Sequence, residues 1–273
     1  YHKISGNSES ITDIRVAEIY QDSNGQHWIG TREMGLLAFD PETELFTGYQ
    51  NDPNNDRSLS NNYILDIEED RTGNLWLGTN QKGLNSTNLY QQPIKVNPVL
   101  NYSVRALANE GDGIIWIGTL DGGVFRWDFT EDRMIQYKTN AYDPGSIGDN
   151  TVESLLVDNA GILWIGTRRN GLNRYDAATN QFARYPTGIV NASALTDWDN
   201  VIAMDEDRLG RLWLISETAG LLQFDQQSET YVEANAPQKA LMQSQMKCML
   251  IDRNQDDVLW IGTLQQGLCR LDI

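Results

Sequence analysis

The hydrophobic positions of this chain recur in a block that is repeated along its whole length. The stretch from Val152 to Asp176 shows the block most clearly. It holds an apolar run, an Asp-x-x-Gly turn, the run LWIGT, a second turn with Gly, and another apolar run that ends in Tyr-Asp. Short apolar runs bounded by Gly, Asp and Asn indicate β-strands joined by tight turns rather than helices.

The tryptophan of the central run marks six copies of this block. The gaps between successive tryptophans are 48, 40, 48, 49 and 47 residues. Short strands repeated at a period in the forties are typical of a β-propeller, in which each blade packs against its neighbours. The sequence therefore predicts an all-β fold, a six-bladed β-propeller of four-stranded antiparallel blades, as a single domain over residues 1–273. The blades centre on Trp28, Trp76, Trp116, Trp164, Trp213 and Trp260. We expect these tryptophans to pack in the core between blades.

Each blade is predicted to hold four strands, which we name A to D in chain order. Strand A precedes the Asp-x-x-Gly turn, where Asp accepts hydrogen bonds and Gly takes the positive φ. Strand B carries the tryptophan, strand C follows the second Gly turn, and strand D is an aromatic segment such as Phe182 to Tyr185. The second blade lacks the aromatic signal after Leu84, which predicts a weak outer strand, and the fifth has Ile215-Ser216 in place of Gly-Thr.

The two ends of the chain predict how the propeller closes. Tyr1 lies 15 residues before Val16, just as Tyr49 lies 15 residues before Ile64 at the end of a strand D. The last blade, in contrast, stops after its strand C. We expect the N-terminal segment to complete the last blade and close the ring, which removes exposed sheet edges. The alternative is a part of a seven-bladed ring, although no gap between tryptophans is long enough to hide a further blade.

The charge balance excludes some partners. The chain has 21 Lys and Arg against 38 Asp and Glu, a formal net charge of −17. Nucleic acid and anionic membrane surfaces need a basic face, so neither is expected as a partner. No apolar run approaches the ~18 residues that span a membrane. The sequence shows no signal peptide at Tyr1, so we expect any targeting or membrane segment to lie outside these residues.

Both cysteines lie in the last blade. Cys248 falls on its strand A and Cys269 on its strand C. These strands are not neighbours, so their Cα atoms should lie about 10 Å apart, too far for a disulfide. We expect both to be small buried residues.

One face of the propeller is the predicted ligand-binding face. Antiparallel blades place the D-to-A and B-to-C connections on the same face, and these loops vary in sequence. Variable loops on a rigid scaffold often bind ligands, and aromatic rings beside Asn and Arg suit a sugar or a small anion. The candidate ligand-binding residues are Arg32, Tyr63, Tyr102, Arg168, Arg169 and Trp198.

The sequence gives little indication of catalysis. The only histidines, His2 and His27, belong to no Cys/His cluster that could bind zinc, and neither falls on the ligand face. No Ser-His-Asp arrangement and no Gly-rich phosphate loop is evident. We therefore predict no catalytic residues, no metal and no cofactor. A propeller lyase is a remote alternative, because it would need a histidine and a metal-binding carboxylate together on the ligand face.

The repeat L-W-[IL]-G-T-x-x-x-G-L-x-x-[YF]-D resembles the two-component regulator propeller repeat. The linker phrases NDPNNDRSLSNNYI, from Asn51 to Ile64, and YDPGSIGDNTV, from Tyr142 to Val152, resemble that family's link between blades. The resemblance implies an extracytoplasmic sensor domain of a hybrid histidine kinase or diguanylate cyclase. It also implies a periplasmic location as part of an inner-membrane protein, and a homodimer formed through the full-length protein.

The combined prediction is a sensor that binds a small molecule such as an oligosaccharide. The main alternative is a protein interaction or dimerisation scaffold without a small-molecule pocket. The resemblance implies no particular ligand residues, so the candidate residues rest on the loop positions alone.

Overall fold

A computed structural model describes residues 14–88, 94–97, 101–187, 200–232, 245–252, 258–264 and 267–273. All the regular elements in these ranges are β-strands. Five sheets have four strands, and the sixth has three described strands. The predicted fold class, a six-bladed β-propeller of mostly four-stranded antiparallel blades, is confirmed.

The strands follow the predicted A-to-D order in each blade. The first two blades are β1 (Val16–Gln21), β2 (His27–Thr31), β3 (Leu36–Asp40) and β4 (Leu45–Tyr49), then β5 (Ile64–Glu69), β6 (Leu75–Thr79), β7 (Gly83–Thr87) and β8 (Lys95–Asn97). The next two are β9 (Val104–Gly111), β10 (Ile114–Thr119), β11 (Val124–Asp128) and β12 (Arg133–Tyr137), then β13 (Val152–Val157), β14 (Leu163–Thr167), β15 (Leu172–Asp176) and β16 (Gln181–Tyr185). The last two are β17 (Val201–Glu206), β18 (Leu212–Ser216), β19 (Gly220–Asp225) and β20 (Thr230–Val232), then β21 (Met246–Ile251), β22 (Val258–Thr263) and β23 (Gly267–Asp272).

The chain divides into two compact units. The first unit comprises residues 1–120 and 125–135, and the second comprises residues 121–124 and 136–273. The first unit therefore holds β1 to β8 and most of the β9–β12 sheet, and the second holds β13 to β23. In the described part of the chain the outer strand of the second blade, β8, spans three residues, as does β20 of the fifth blade.

The Gly-Thr pair that ends strand B explains how blades approach each other. A Cβ atom on Gly78 would lie 2.8 Å from a side-chain carbon of Val104, the first residue of the next strand A. Glycine therefore lets the next blade pack directly on strand B. The following threonine closes the B-to-C turn, as when Thr79 Oγ1 donates to the Gly83 carbonyl at 2.7 Å. Gly83 takes the positive φ that the sequence predicts at this position, at 70°.

The predicted tryptophan core is confirmed in five blades, because Trp28, Trp76, Trp116, Trp164 and Trp213 are all buried. In the last blade, however, Trp260 is only half-buried. This sheet has a face that no described residue covers, where Leu250 and Leu268 are 61% and 67% exposed.

The burial predicted for the cysteines is wrong. Cys248 is exposed and Cys269 is half-buried, since Cys248 lies on strand A of this partly uncovered sheet. Neither cysteine forms a disulfide, as predicted. The predicted closure of the ring by Tyr1 to Ile4 lies outside the described residues.

Candidate functional site

The two loop classes of the predicted ligand face are tied to each other by backbone hydrogen bonds. In the first unit, Arg32 N donates to the Arg15 carbonyl at 3.0 Å, which joins a B-to-C turn to the residues just before strand A. In the second unit, Arg168 N donates to the Thr151 carbonyl at 3.0 Å in the same way. Both loop classes therefore lie on one face within each unit.

The structure brings together two of the candidate residues in the first unit. The guanidinium carbon of Arg32 lies 5.7 Å from the centre of the Tyr63 ring, a cation–π contact between exposed and half-buried side chains. Tyr102 belongs to the core instead. Its ring centre lies 5.9 Å from that of Phe125 and it packs against the apolar cluster of the second and third blades.

The three candidate residues of the second unit also differ in their surroundings. Arg168 Nε donates to Glu153 Oε1 at 2.9 Å, and the Glu153 side chain is only 5% exposed while that of Arg168 is 35% exposed. Arg169 is exposed to solvent. Trp198 lies outside the described residues. The partly exposed Arg168 is thus held in place by a buried carboxylate on β13.

A charged cluster surrounds Arg168 on this face of the second unit. Glu217 Oε1 accepts from Lys247 Nζ at 2.9 Å, and Glu217 Oε2 accepts from Asn200 Nδ2 at 2.8 Å. Hydrogen bonds from Lys247 and Asn200, with the positive charges of Lys247 and Arg168, hold the pKa of Glu217 below its usual value. We call Arg168, Asn200, Glu217 and Lys247 the charged cluster.

One atom of the charged cluster has an unused hydrogen-bonding capacity. Asn200 is 8% exposed, and its buried Oδ1 has no hydrogen-bond partner among the residues that the structure describes. A buried amide oxygen without a partner costs about 1–3 kcal/mol relative to a satisfied one. A ligand hydroxyl or amine that donated to Oδ1 would remove this penalty, while Lys247 and Arg168 could donate to ligand oxygens.

The candidate residues chosen from the sequence did not include Glu153, Asn200, Glu217 or Lys247. A signal was available in the repeat. The second residue of strand A is apolar in the first, second and fifth blades but is charged in the third, fourth and sixth, as Arg105, Glu153 and Lys247. A charge directly after the first apolar residue of strand A, beside the B-to-C turn, points to a polar cluster at the end of the sheet.

A second group of titratable side chains, all half-buried, lies between strands A of the first unit. Glu18 on β1 and Asp66 and Glu68 on β5 repel one another, and Asp66 Oδ2 accepts a hydrogen bond from Leu107 N. Burial raises the pKa of Glu18 to about 7 and that of Glu68 to about 8. The pKa of Asp66 is also raised well above its usual value, chiefly by burial.

Among the described residues, no group of three His, Cys, Asp or Glu side chains could hold a metal ion. His27 lies at the start of β2, where its ring centre is 6.5 Å from that of Phe39. It therefore sits against the sheet, while His2 lies outside the described residues. In the ranges that the structure describes, no helix has the length and apolar character needed to cross a bilayer.

The solved structures that resemble this chain include two from B. thetaiotaomicron. The extracellular domain assigned to the hybrid two-component system BT3049 has a TM-score of 0.75 and 23% identity, covering 96% of this chain and 34% of that one. The extracellular domain assigned to the system BT4673 has a TM-score of 0.74 and 21% identity, covering 99% and 33%. At these identities the likeness establishes the fold alone.

PorZ, a surface component of the type-IX secretion system of Porphyromonas gingivalis, has a TM-score of 0.66 and 16% identity, covering 94% of this chain and 38% of PorZ. The chain thus spans about a third of the length of these structures. A comparison with curated protein sequences found no match.

Two segments of the chain, residues 58–81 and 146–169, match the family model described as two component regulator propeller. Each segment begins at the serine of a linker, Ser58 or Ser146, and runs through strands A and B to the B-to-C turn. The resemblance inferred from the tryptophan repeats is thereby confirmed, with the family model matching two of the six blades.

Proposed function

We propose that this chain is the extracytoplasmic sensor domain of a bacterial two-component or cyclic-dinucleotide signalling protein. The match to regulator propeller repeats supports this role, and two structures of the same fold are extracellular domains of hybrid two-component systems. On this proposal the domain lies in the periplasm as part of an inner-membrane protein. Its output passes through a homodimer of the full-length protein.

The proposed ligand is a small polar molecule such as an oligosaccharide, and its proposed site is the charged cluster. The observation that carries this proposal is the buried Oδ1 of Asn200, which no residue in the described ranges of the chain hydrogen-bonds. It lies within the network of Glu217 and Lys247, whose side chains are 45% and 43% exposed. A ligand could therefore reach the cluster from solvent and satisfy Asn200 at the same time.

The donors and acceptors of the cluster match those of a sugar. Sugar hydroxyl groups both donate and accept, so one could donate to Asn200 Oδ1 or to Glu217. Another could accept from Lys247 or Arg168. Arg168 is already oriented by Glu153 at 2.9 Å, so little side-chain freedom would be lost when a ligand binds. Such a ligand shifts a signalling equilibrium only if it binds one arrangement of the dimer more tightly than the other.

The test is thermal unfolding of the domain with a panel of oligosaccharides and small organic anions. A ligand present at 100 times its Kd should stabilise the folded state by about 2.7 kcal/mol, which a melting curve detects. Lys247→Met and Glu217→Gln should each weaken binding at least about tenfold, the effect of losing ~1.4 kcal/mol of interaction. Arg32→Ala is the matched control, because Arg32 is a candidate of the first unit and should leave binding at the charged cluster unchanged.

Two results would count against this site. A ligand whose affinity falls with Arg32→Ala but not with Lys247→Met would move the site to the contact of Arg32 with Tyr63. If no ligand in a broad panel stabilised the domain, the proposal that it binds a small molecule would be contradicted.

A protein interaction scaffold is the second candidate function. Three leucines of the last blade, Leu250, Leu264 and Leu268, are 61%, 61% and 67% exposed. Exposed apolar side chains of this size favour contact with another protein surface. The scaffold role predicts that Leu268→Asp reduces association of the domain, measured as the mass in solution by light scattering, while ligand-induced stabilisation is absent.

A further inference from the structure

The first linker between blades, residues 51–58, is a compact turn built around a serine. The Ser58 N–H and hydroxyl both donate to the Asn55 carbonyl, at 3.1 and 2.8 Å. The Asp52 N–H donates to Ser58 Oγ at 2.9 Å. The serine therefore holds the linker in one conformation, with the carbonyls of Asn55 and Ser58 at its edge.

A second linker, residues 139–146, repeats this turn 88 residues later. The Ser146 N–H and hydroxyl donate to the Asp143 carbonyl at 3.1 and 2.8 Å, and the Asn140 N–H donates to Ser146 Oγ at 2.9 Å. Because the hydrogen bonds correspond one by one, the second linker shows what the edge of the first can bind.

In the second linker that edge binds the guanidinium group of Arg184. Arg184 Nε and Nη2 donate to the Ser146 carbonyl at 2.9 and 2.6 Å. Nη2 also donates to Ser146 Oγ at 2.8 Å and to the Asp143 carbonyl at 3.2 Å. The two carbonyls and one hydroxyl thus form a set of acceptors that fits the planar donors of a guanidinium.

The first linker has the same acceptors, but in the part of the chain that the structure describes no arginine donates to them. On β16, Arg184 lies opposite Asn173, whereas on β8 the corresponding residue opposite Asn85 is Val96. Valine has no hydrogen-bond donor. Among the described residues, nothing donates to the carbonyl of Ser58.

A cavity of about 260 Å³ lies at this edge of the first linker. Asn55 and Ser58, which correspond to Asp143 and Ser146, are among its lining residues, together with Asp52, Arg57 and the buried Ile94. The volume is below the ~300–1,000 Å³ of sites for drug-sized ligands, so it fits one side chain or a molecule of that size.

We propose that this cavity binds a guanidinium group supplied from outside the chain, either by a small molecule such as arginine or by an arginine of another protein. The carbonyls of Asn55 and Ser58 and the hydroxyl of Ser58 would accept its N–H groups, as their counterparts accept those of Arg184. The second linker has one acidic side chain, Asp143, and the first has two, Asp52 and Asp56, so the first linker has at least as much acidic charge to attract a guanidinium.

Arg57 distinguishes the two linkers and suggests a second contact. It occupies the position of Gly145, where a Cβ atom would lie 2.7 Å from Gln181 of strand D. Arg57 is exposed at the border of the cavity, where it could pair with the carboxylate of a bound arginine. Free arginine carries both groups, whereas an arginine within a peptide carries only the guanidinium.

The proposal is tested by titrating the intact domain with L-arginine, with L-citrulline and with the capped peptide acetyl-Gly-Arg-Gly-amide. Binding is followed by calorimetry and by the NMR shifts of the Asn55 and Ser58 amides. Citrulline has the same shape but no charge, and charge-assisted hydrogen bonds are about twice as strong as neutral ones, so we expect it to bind about tenfold more weakly. Tighter binding of arginine than of the peptide would identify a small molecule as the source, and the reverse would identify a protein.

A variant places the missing side chain in the chain itself. Val96→Arg should fill the cavity as Arg184 fills its counterpart, raise Tm by a few degrees and abolish arginine binding. Val96→Gln, which has no guanidinium, should leave arginine binding within about twofold of the original. Failure of arginine and the peptide to shift the Asn55 and Ser58 amides would overturn the proposal. So would arginine binding that persists unchanged in a folded Val96→Arg variant.

Discussion

The indole Nε1 of Trp164 donates a hydrogen bond to Oδ2 of Asp158 at 2.8 Å. The other oxygen of the same carboxylate accepts the backbone N–H groups of Ala160 and Ile162, at 2.9 and 2.8 Å. One aspartate therefore closes the A-to-B turn and fixes the buried tryptophan of strand B. The same indole contact joins Asp22 to Trp28, Asp70 to Trp76 and Asp207 to Trp213.

We expect Asp158→Ala to destabilise the domain by about 3 kcal/mol, because it leaves a buried indole N–H and two backbone N–H groups without partners. The measurement is urea unfolding followed by tryptophan fluorescence. Asp176→Ala is the control, since Asp176 also accepts turn hydrogen bonds but is fully exposed. It should cost less than about 1 kcal/mol. Equal effects of the two substitutions would show that the indole contact contributes nothing beyond the turn.

The turn made by Asp158 could be predicted from the sequence, but its hydrogen bond to the Trp164 indole could not. The Asp-x-x-Gly pattern predicts the turn, and Gly161 has the expected positive φ of 80°. The indole bond of Asp158 depends on which way the Trp164 ring points between strands, and repeat spacing does not encode that direction. The third blade shows the same limit, because it has no Asp-x-x-Gly turn and Glu110 Oε2 accepts from Trp116 Nε1 at 2.7 Å instead.

The candidate site was less predictable than the fold. Loop position predicts only that Arg32 and Tyr63 share one face of the unit, and the structure places their side chains in contact. It could not tell that Tyr102 turns into the core or that Arg168 is held by Glu153. Those outcomes depend on side-chain packing between blades, and position in the repeat specifies only where the backbone goes.

The glycine of strand B provides a second prediction. A Cβ atom on Gly166 would lie 2.2 Å from Ser154 Oγ and 2.5 Å from the Val201 carbonyl, both in strands A. Gly166→Ala should therefore push the fifth blade away and destabilise the domain by about 3 kcal/mol, as overpacked cores do. Gly161→Ala is the matched control, because a Cβ atom there meets nothing within 4 Å.

Gly161→Ala adds only the strain of a positive φ, about 1–2 kcal/mol. Both variants are compared by urea unfolding. A loss for Gly166→Ala no greater than that for Gly161→Ala would mean that neighbouring blades can shift without loss of packing.

The pair of Arg168 and Glu153 gives a third prediction. Glu153 is 5% exposed, so Arg168→Met should remove the guanidinium that pairs with a buried carboxylate and destabilise the domain by about 2–3 kcal/mol. Replacing both residues, with Glu153→Gln and Arg168→Met together, should restore at least half of that loss, since no buried charge remains. A double-mutant cycle from urea unfolding measures the coupling. Strictly additive losses would show that the ion pair is not what positions Arg168.

The half-buried carboxyl groups between strands A of the first unit predict how stability depends on pH. Burial raises the pKa of Glu18 to about 7 and of Glu68 to about 8, both from a usual value of 4.5, and the pKa of Asp66 rises as well. A carboxyl whose pKa is higher in the folded state binds its proton more tightly there, so its contribution to stability is complete below pH 4.5. That contribution is lost as pH rises through 7 and 8.

We therefore expect the free energy of unfolding to fall between pH 5 and pH 8, measured by urea unfolding in buffers of constant ionic strength. Glu68→Gln removes one of the titrating groups and should flatten this decline, which makes the variant more stable than the original at pH 8. Glu217→Gln is the control: the pKa of Glu217 is lowered, so its contribution changes only at acidic pH and the slope should not move. Stability that rises over this range, or a Glu68→Gln variant with the original slope, would show that these carboxyl groups are ionised in the folded domain at neutral pH.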